Sequence, residues 1–273
     1  MKIILLLLLA GSGWSGNADT FRTLSVATTA PANRTVEFAY RLPEASAADR
    51  IRAVMVVFGG RNWSGESALR RIDFRELADR FKILLLSPGF KDDEYWHPEK
   101  WSGRALEQAI SQLEKKYRLD NPPLLYFGYS AGGQCANLFY LWKPERVMAC
   151  GVHACGVWGD FKRISHPAPM LVTCGVDDAG RFELSRRFVQ QTGDHGWQRL
   201  WAELPDGHEL SPEAVELARA FFTAVLAGEK KIFWGDDQTG RIETSPTAID
   251  SELRSYLPGD AVCGQWLKLM GRR

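Results

Sequence analysis

Gly128-Tyr129-Ser130-Ala131-Gly132 has the spacing G-x-S-x-G. Its setting gives the pattern weight. It follows the apolar run Leu124-Leu125-Tyr126-Phe127 and opens onto Gly133-Gln134-Cys135-Ala136, where a helical pattern begins. A serine held in a sharp strand-to-helix turn has a strained backbone and tolerates only small neighbours. The strain lifts its Oγ above the sheet edge. The helix N-terminus beneath presents N–H groups and a positive dipole end to developing negative charge. The chemistry this implies is nucleophilic attack by Ser130. The competing reading is a glycine-rich turn that only caps a helix.

A serine hydroxyl is a poor nucleophile without a base. In a strand-turn-helix arrangement of this kind the partners follow in the order Ser, acid, His. The chain supplies both. Gly175-Val176-Asp177-Asp178 follows the apolar run Pro169 to Cys174, and Leu204-Pro205-Asp206-Gly207-His208 leads into a helical pattern. All three positions fall where parallel strands end, at the carboxyl edge where functional groups gather. His208 would take the proton from Ser130 and return it to the leaving group, and the acid would hold the imidazole tautomer and stabilise its cation. Asp178 fits the Gly-x-x-Asp spacing; Asp177 stays as the alternative, with helix capping as its other role. A surface histidine in a glycine turn is the bland alternative for His208.

Two backbone N–H donors are needed to hold an oxyanion. Ala131, directly after the serine, is one. The turn Gly59-Gly60-Arg61, after the apolar run Val54 to Phe58, supplies the other through Gly60, where a Cβ would crowd a substrate. Trp63, Tyr95, Trp96, Trp101, Tyr129 and Trp158 fall in loops at the same edge. An aromatic-walled cleft follows, suited to a flat acyl group or a sugar face. Trp63, Trp96, Tyr129 and Trp158 are the expected substrate contacts, with packing under loops as the other role for each.

The positioning elements are legible as patterns. Arg34 to Arg41 alternates, as a half-exposed strand does. Arg52 to Phe58, Lys82 to Leu86, Leu124 to Phe127, Val147 to His153, Pro169 to Cys174 and Gln198 to Leu204 read as strands, the continuous apolar ones buried on both faces. Helical spacing marks Ser67 to Phe81, Gly103 to Tyr117, Ala131 to Trp142, Phe182 to Gln191 and Pro212 to Ala227. Alternation of this kind predicts an α/β domain with a mostly parallel sheet covered on both faces. After Gly228 the pattern decays into a polar, turn-rich stretch from Lys230 to Pro246. A last helix, Pro258 to Met270, is expected to dock Trp266 and Leu269.

The chain has 273 residues, 34 basic and 33 acidic, with ten tryptophans. Balanced charge argues against a dedicated nucleic-acid binder, and the aromatic content against disorder. Five cysteines, Cys135, Cys150, Cys155, Cys174 and Cys263, have apolar neighbours that suit buried thiols; the odd number leaves at least one outside any intramolecular pair, and one disulfide is compatible. No metal-ligand spacing appears, and no cofactor is expected. Lys2, the apolar run Ile3 to Ala10 and Gly16-Asn17-Ala18 read as a secretory leader with cleavage after Ala18. An uncleaved anchor is the alternative.

Together G-Y-S-A-G-G-Q, F-G-G-R-N-W, G-V-D-D and D-G-H-E-L resemble the α/β-hydrolase family, and within it the exported polyhydroxybutyrate depolymerase-like and feruloyl-esterase-like enzymes. The resemblance covers residues 34 to 228. It implies an α/β-hydrolase fold without a large cap domain, since Cys155 to Pro169 is short. It also implies a secreted or periplasmic serine esterase that cleaves small-molecule or polymer-borne carboxylic esters through an acyl-enzyme. One departure is Phe58-Gly59 where relatives carry His-Gly. A peptidase on the same fold and a silent binding module are the alternatives. The expected organisation is a leader at 1–18, a catalytic domain at 19–228 and a docked extension at 229–273.

Overall fold

The computed structural model describes residues 20–29, 32–44, 50–92 and 94–271. The expected leader lies outside the described residues. Eight strands form one sheet: β1 (Arg22–Ala27), β2 (Thr35–Arg41), β3 (Ala53–Phe58), β4 (Ile83–Pro88), β5 (Leu124–Tyr129), β6 (Val147–His153), β7 (Met170–Gly175) and β8 (Arg199–Leu204). Their order is β1-β2-β4-β3-β5-β6-β7-β8. From β4 to β8 the neighbours are parallel, whereas β1 and β2 join antiparallel. Every residue of β3, β4, β5 and β7 is buried, which is why these strands are continuous apolar runs.

Helices cover both faces. They are α1 (Gly65–Arg71), α2 (Arg75–Phe81), α3 (Gly103–Tyr117), α4 (Ala131–Trp142), α5 (Ala179–Gly193) and α6 (Pro212–Ala227). Successive side chains of β5 point to opposite faces. Phe127 packs on Phe222 of α6, while Tyr126 shares the other face with Phe58, which packs on Phe139 of α4.

Three expectations change. The single helix over Ser67 to Phe81 is two. The Asp73 carboxylate accepts from the Arg75 backbone N–H at 3.0 Å and grips its guanidinium at 2.9 Å, so a new helix starts there. Those bonds hold the Asp73 carboxyl below its ordinary range. Lys82 belongs to no strand; it closes α2 in the left-handed region at φ 58°. Third, residues after Gly228 are ordered: β9 (Ile232–Asp236), β10 (Ile242–Glu243) and β11 (Arg254–Pro258) make a second, antiparallel sheet in the order β10-β9-β11, followed by α7 (Gly259–Met270). Strand β1 leaves little hydrophobic pattern in the sequence, since of its six residues only Val26 is buried.

This second sheet closes over β8, the last strand of the large one. Trp201 of β8 donates its backbone N–H to Ser255 Oγ at 2.9 Å, and its carbonyl accepts from Trp266 Nε1 at 2.7 Å. The Arg199 guanidinium is buried and donates to the carbonyls of Val189, Ser251, Glu252 and Arg254. Burial lowers its pKa to about 10. All five cysteines are free and buried. No helix among the described residues is long and apolar enough to cross a membrane.

Candidate active site

Ser130 stands between β5 and α4 with φ 58° and ψ −121°, a backbone conformation that costs a non-glycine residue about 1–3 kcal/mol. Its surroundings leave no alternative. A Cβ on Gly128 would stand 1.9 Å from the Gly132 carbonyl oxygen, and one on Gly132 would stand 2.1 Å from that of Phe58. The Ser130 N–H is fixed by the His153 carbonyl at 2.9 Å, and its own carbonyl accepts from Gln134 N–H at 3.1 Å to start α4.

The three side chains expected to work together meet. Ser130 Oγ is 2.9 Å from His208 Nε2, and His208 Nδ1 is 2.7 Å from Asp178 Oδ2. A neutral imidazole opposite a carboxylate carries its proton on Nδ1, which leaves the Nε2 lone pair facing the serine hydroxyl. Asp178 is 7% exposed and uses its other oxygen to accept from Arg181 Nη1 at 3.0 Å. Asp177 is exposed and bonds through its backbone N–H to the Asp206 carbonyl at 3.0 Å. That bond binds the acid turn to the histidine turn. Gly175 permits the approach, since its Cβ would meet the Asp206 carbonyl oxygen at 2.2 Å.

Gly60 is buried beneath Trp63, and a Cβ there would press within 3.1 Å of the indole and 3.3 Å of the Tyr129 ring. Ala131 is the first residue of α4, where no helical carbonyl reaches the amide. A narrow recess with room for about one water molecule lies beside Gly59 and Gly60, bordered by Trp63, Tyr95, Phe90 and Cys135. Trp63 is half-buried, held between Tyr129 at 5.7 Å and the Arg71 guanidinium at 4.5 Å. Trp96, also half-buried, stands edge-on to Tyr95.

The remaining aromatics differ from an open wall. Tyr129 is 8% exposed and stacks between the rings of His153 and His208, at 5.5 and 5.6 Å. Its hydroxyl donates to the His208 carbonyl at 3.2 Å. Burial and the nearby Asp178 carboxylate push its pKa up. Trp158 stacks on Phe188 at 4.0 Å, and Tyr95 and Trp101 are buried. Two residues at the site went unmarked in the sequence, His153 and Arg181. A polar side chain closing a buried parallel strand was the available signal for the first.

No protein-family model and no curated protein matches the chain. Solved structures do match. An S-formylglutathione hydrolase from Staphylococcus aureus superposes with a TM-score of 0.59 at 11% identity, over 76% of this chain and 98% of that one. A ferulic acid esterase from the anaerobic fungus Anaeromyces mucronatus gives 0.58 at 12%, over 77% and 91%. A thermostable esterase gives 0.55 at 18%, over 68% of this chain; the match spans about half of that longer protein, 55%. The fold is that of the α/β-hydrolases. The Ser130 turn follows β5, Asp178 follows β7 and His208 follows β8. The segment between β6 and β7, residues 154–169, carries a single turn of 3₁₀-helix, Phe161–Arg163.

Proposed function

We propose that the protein is a serine esterase that hydrolyses carboxylic esters through an acyl-enzyme. The observation that carries this reading is the unbroken relay from Ser130 Oγ through His208 to Asp178, at 2.9 and 2.7 Å, on a strained strand-to-helix turn. As Ser130 Oγ bonds to the ester carbonyl carbon, His208 Nε2 takes its proton. The carbonyl oxygen gains negative charge in front of the Gly60 and Ala131 N–H groups. Collapse breaks the bond to the alcohol oxygen, which leaves with the proton from His208. Water then repeats the sequence on the acyl-enzyme and releases the acid. The Asp178 carboxylate stabilises the imidazolium formed in each half-reaction.

The short 154–169 segment supports an open cleft, which admits polymer-borne and bulky phenolic esters as well as small ones. The solved structures of similar fold include esterases and a ferulic acid esterase, which agrees with this class. We further infer export: the apolar leader with Ala18 at its end supports it, and intact mass of the natively exported protein should begin at Asp19.

Two measurements test the enzyme reading. A fluorophosphonate probe should label the native protein and leave the Ser130→Ala variant unlabelled. A panel of acetyl, butyryl, feruloyl and polyhydroxyalkanoate esters should show turnover and rank the acyl groups. Native protein that ignores both the probe and the panel would be a binding module instead.

A further inference from the structure

His153 ends β6, between the strand that leads to Ser130 and the strand that leads to Asp178. Its imidazole is 0% exposed. A buried imidazole is costly unless both nitrogens are satisfied. Here they are, by groups on different elements. Nδ1 lies 3.0 Å from the Thr173 hydroxyl on β7 and 3.3 Å from the Thr173 carbonyl oxygen. Nε2 lies 2.8 Å from the Glu209 carbonyl, in the loop that carries His208, and 3.4 Å from the Ser211 N–H. Two carbonyls that can only accept compete for the ring proton, Glu209 at Nε2 and Thr173 at Nδ1. The shorter contact, to Glu209, places the proton on Nε2, so the long Ser211 N–H contact is no hydrogen bond in this tautomer and Nδ1 accepts from the Thr173 hydroxyl. Burial keeps the ring neutral, with its pKa lowered to about 4.

The ring also backs the site from a second direction. It stacks on Tyr129, which stacks on His208 and donates to the His208 carbonyl. The His153 backbone carbonyl meanwhile holds the Ser130 N–H. One residue therefore reaches the serine turn with its main chain and the histidine loop with its side chain. It is no proton carrier for the reaction, because its Nε2 is occupied and no face of the ring is open to substrate.

We propose that His153 is a positioning residue for His208. Its Nε2–H tethers the Glu209 carbonyl, and its ring presses Tyr129 against the His208 imidazole, so that Nε2 of His208 stays aimed at Ser130 Oγ. The kinetic part of this proposal rests on the ester-hydrolase reading; the structural part does not.

Two variants separate the tether from mere filling of space. His153→Phe keeps an aromatic ring against Tyr129 and removes the donor. His153→Gln restores an N–H near the Nε2 position. Turnover is counted per fluorophosphonate-titrated site, so that loss of folded protein does not enter. His153→Phe should lower kcat at least about tenfold with KM within about twofold, and His153→Gln should return kcat to within about threefold of native. In parallel, proton NMR of the ¹⁵N-histidine-labelled protein should show the strongly hydrogen-bonded Nδ1–H of His208, broadened or lost in His153→Phe and kept in His153→Gln. An unchanged His208 signal and unchanged kcat per site in His153→Phe overturn the proposal. A responsive His208 signal in a native protein that hydrolyses no ester keeps the tether and removes the esterase reading.

Discussion

Asp177 and Asp178 are adjacent in the chain, yet one is exposed and the other holds His208. Asp178→Asn should cut kcat by about 10⁴, because the amide disturbs the imidazole tautomer and leaves its cation unsupported. Asp177→Asn should stay within about twofold. Steady-state kinetics on an ester that the native protein turns over decides it, and the reverse order would move the acid one residue back. His153 gives a second, pH-dependent expectation. Its ordinary pKa of 6.5 is lowered in the fold to about 4 by burial, against Asp178 and beside His208. A depressed folded pKa means stability is intact above about pH 6.5 and falls as pH drops towards 4, because the unfolded chain takes up a proton that the native ring refuses. The loss approaches about 3 kcal/mol at the acid end. His153→Gln has no such proton, so its Tm should decline less steeply between pH 6.5 and 4; parallel declines would argue that the ring is not neutral in the fold. Ser130, Asp178 and His208 could be placed together from sequence because each follows a strand of the same parallel sheet. His153 and Arg181 could not. A histidine closing a buried apolar run looks like core, and an arginine one turn into a helix looks like surface.

At the scale of elements, glycines divide by what surrounds them. Gly128→Ala and Gly132→Ala would drive a methyl into backbone oxygens at 1.9 and 2.1 Å, and no flexible side chain can yield there. Each should abolish soluble folded protein or lower stability beyond the ~1–3 kcal/mol typical of core overpacking. Gly180 in α5 and Gly264 in α7 have nothing within 4 Å of a Cβ. Gly264→Ala should raise stability by about 1 kcal/mol, since alanine is the better helix former, and Gly180→Ala by somewhat less so near the helix start. Urea midpoints on the four variants test the division; a stabilised Gly132→Ala would contradict the tight turn. The buried strands were legible because burial on both faces forces unbroken apolar runs. The split between α1 and α2 was not, because Leu69, Ile72 and Leu77 keep a helical spacing across the break and only the Asp73–Arg75 contacts reveal it. The small sheet after Gly228 escaped for a similar reason. Its strands are short and their burial does not alternate; Gly235 of β9 lies so close to α7 that a Cβ would meet the Trp266 ring at 2.6 Å.

For the whole molecule, the C-terminal segment acts on β8 rather than on the serine. Trp266→Ala should lower stability by about 3–5 kcal/mol, through a lost indole and the bond from its Nε1 to Trp201. Activity per titrated site should hold within about twofold, since Trp266 touches no group of the relay. A selective loss of turnover in folded protein would instead tie this segment to catalysis. The arrangement also has a cost in time. Strand β8 is complete at Leu204, but the groups that cover it begin at Ser251, 47 residues later, and are complete only at Trp266, 62 residues later. At the usual pace of about 5–20 residues per second, a nascent chain would wait roughly 3–12 s with that edge open. An open strand edge is a template for pairing with another chain. Slowing translation over residues 205 to 266 with rare codons should therefore raise the aggregated fraction without altering one residue of the product, and a holdase chaperone should be most effective during that interval.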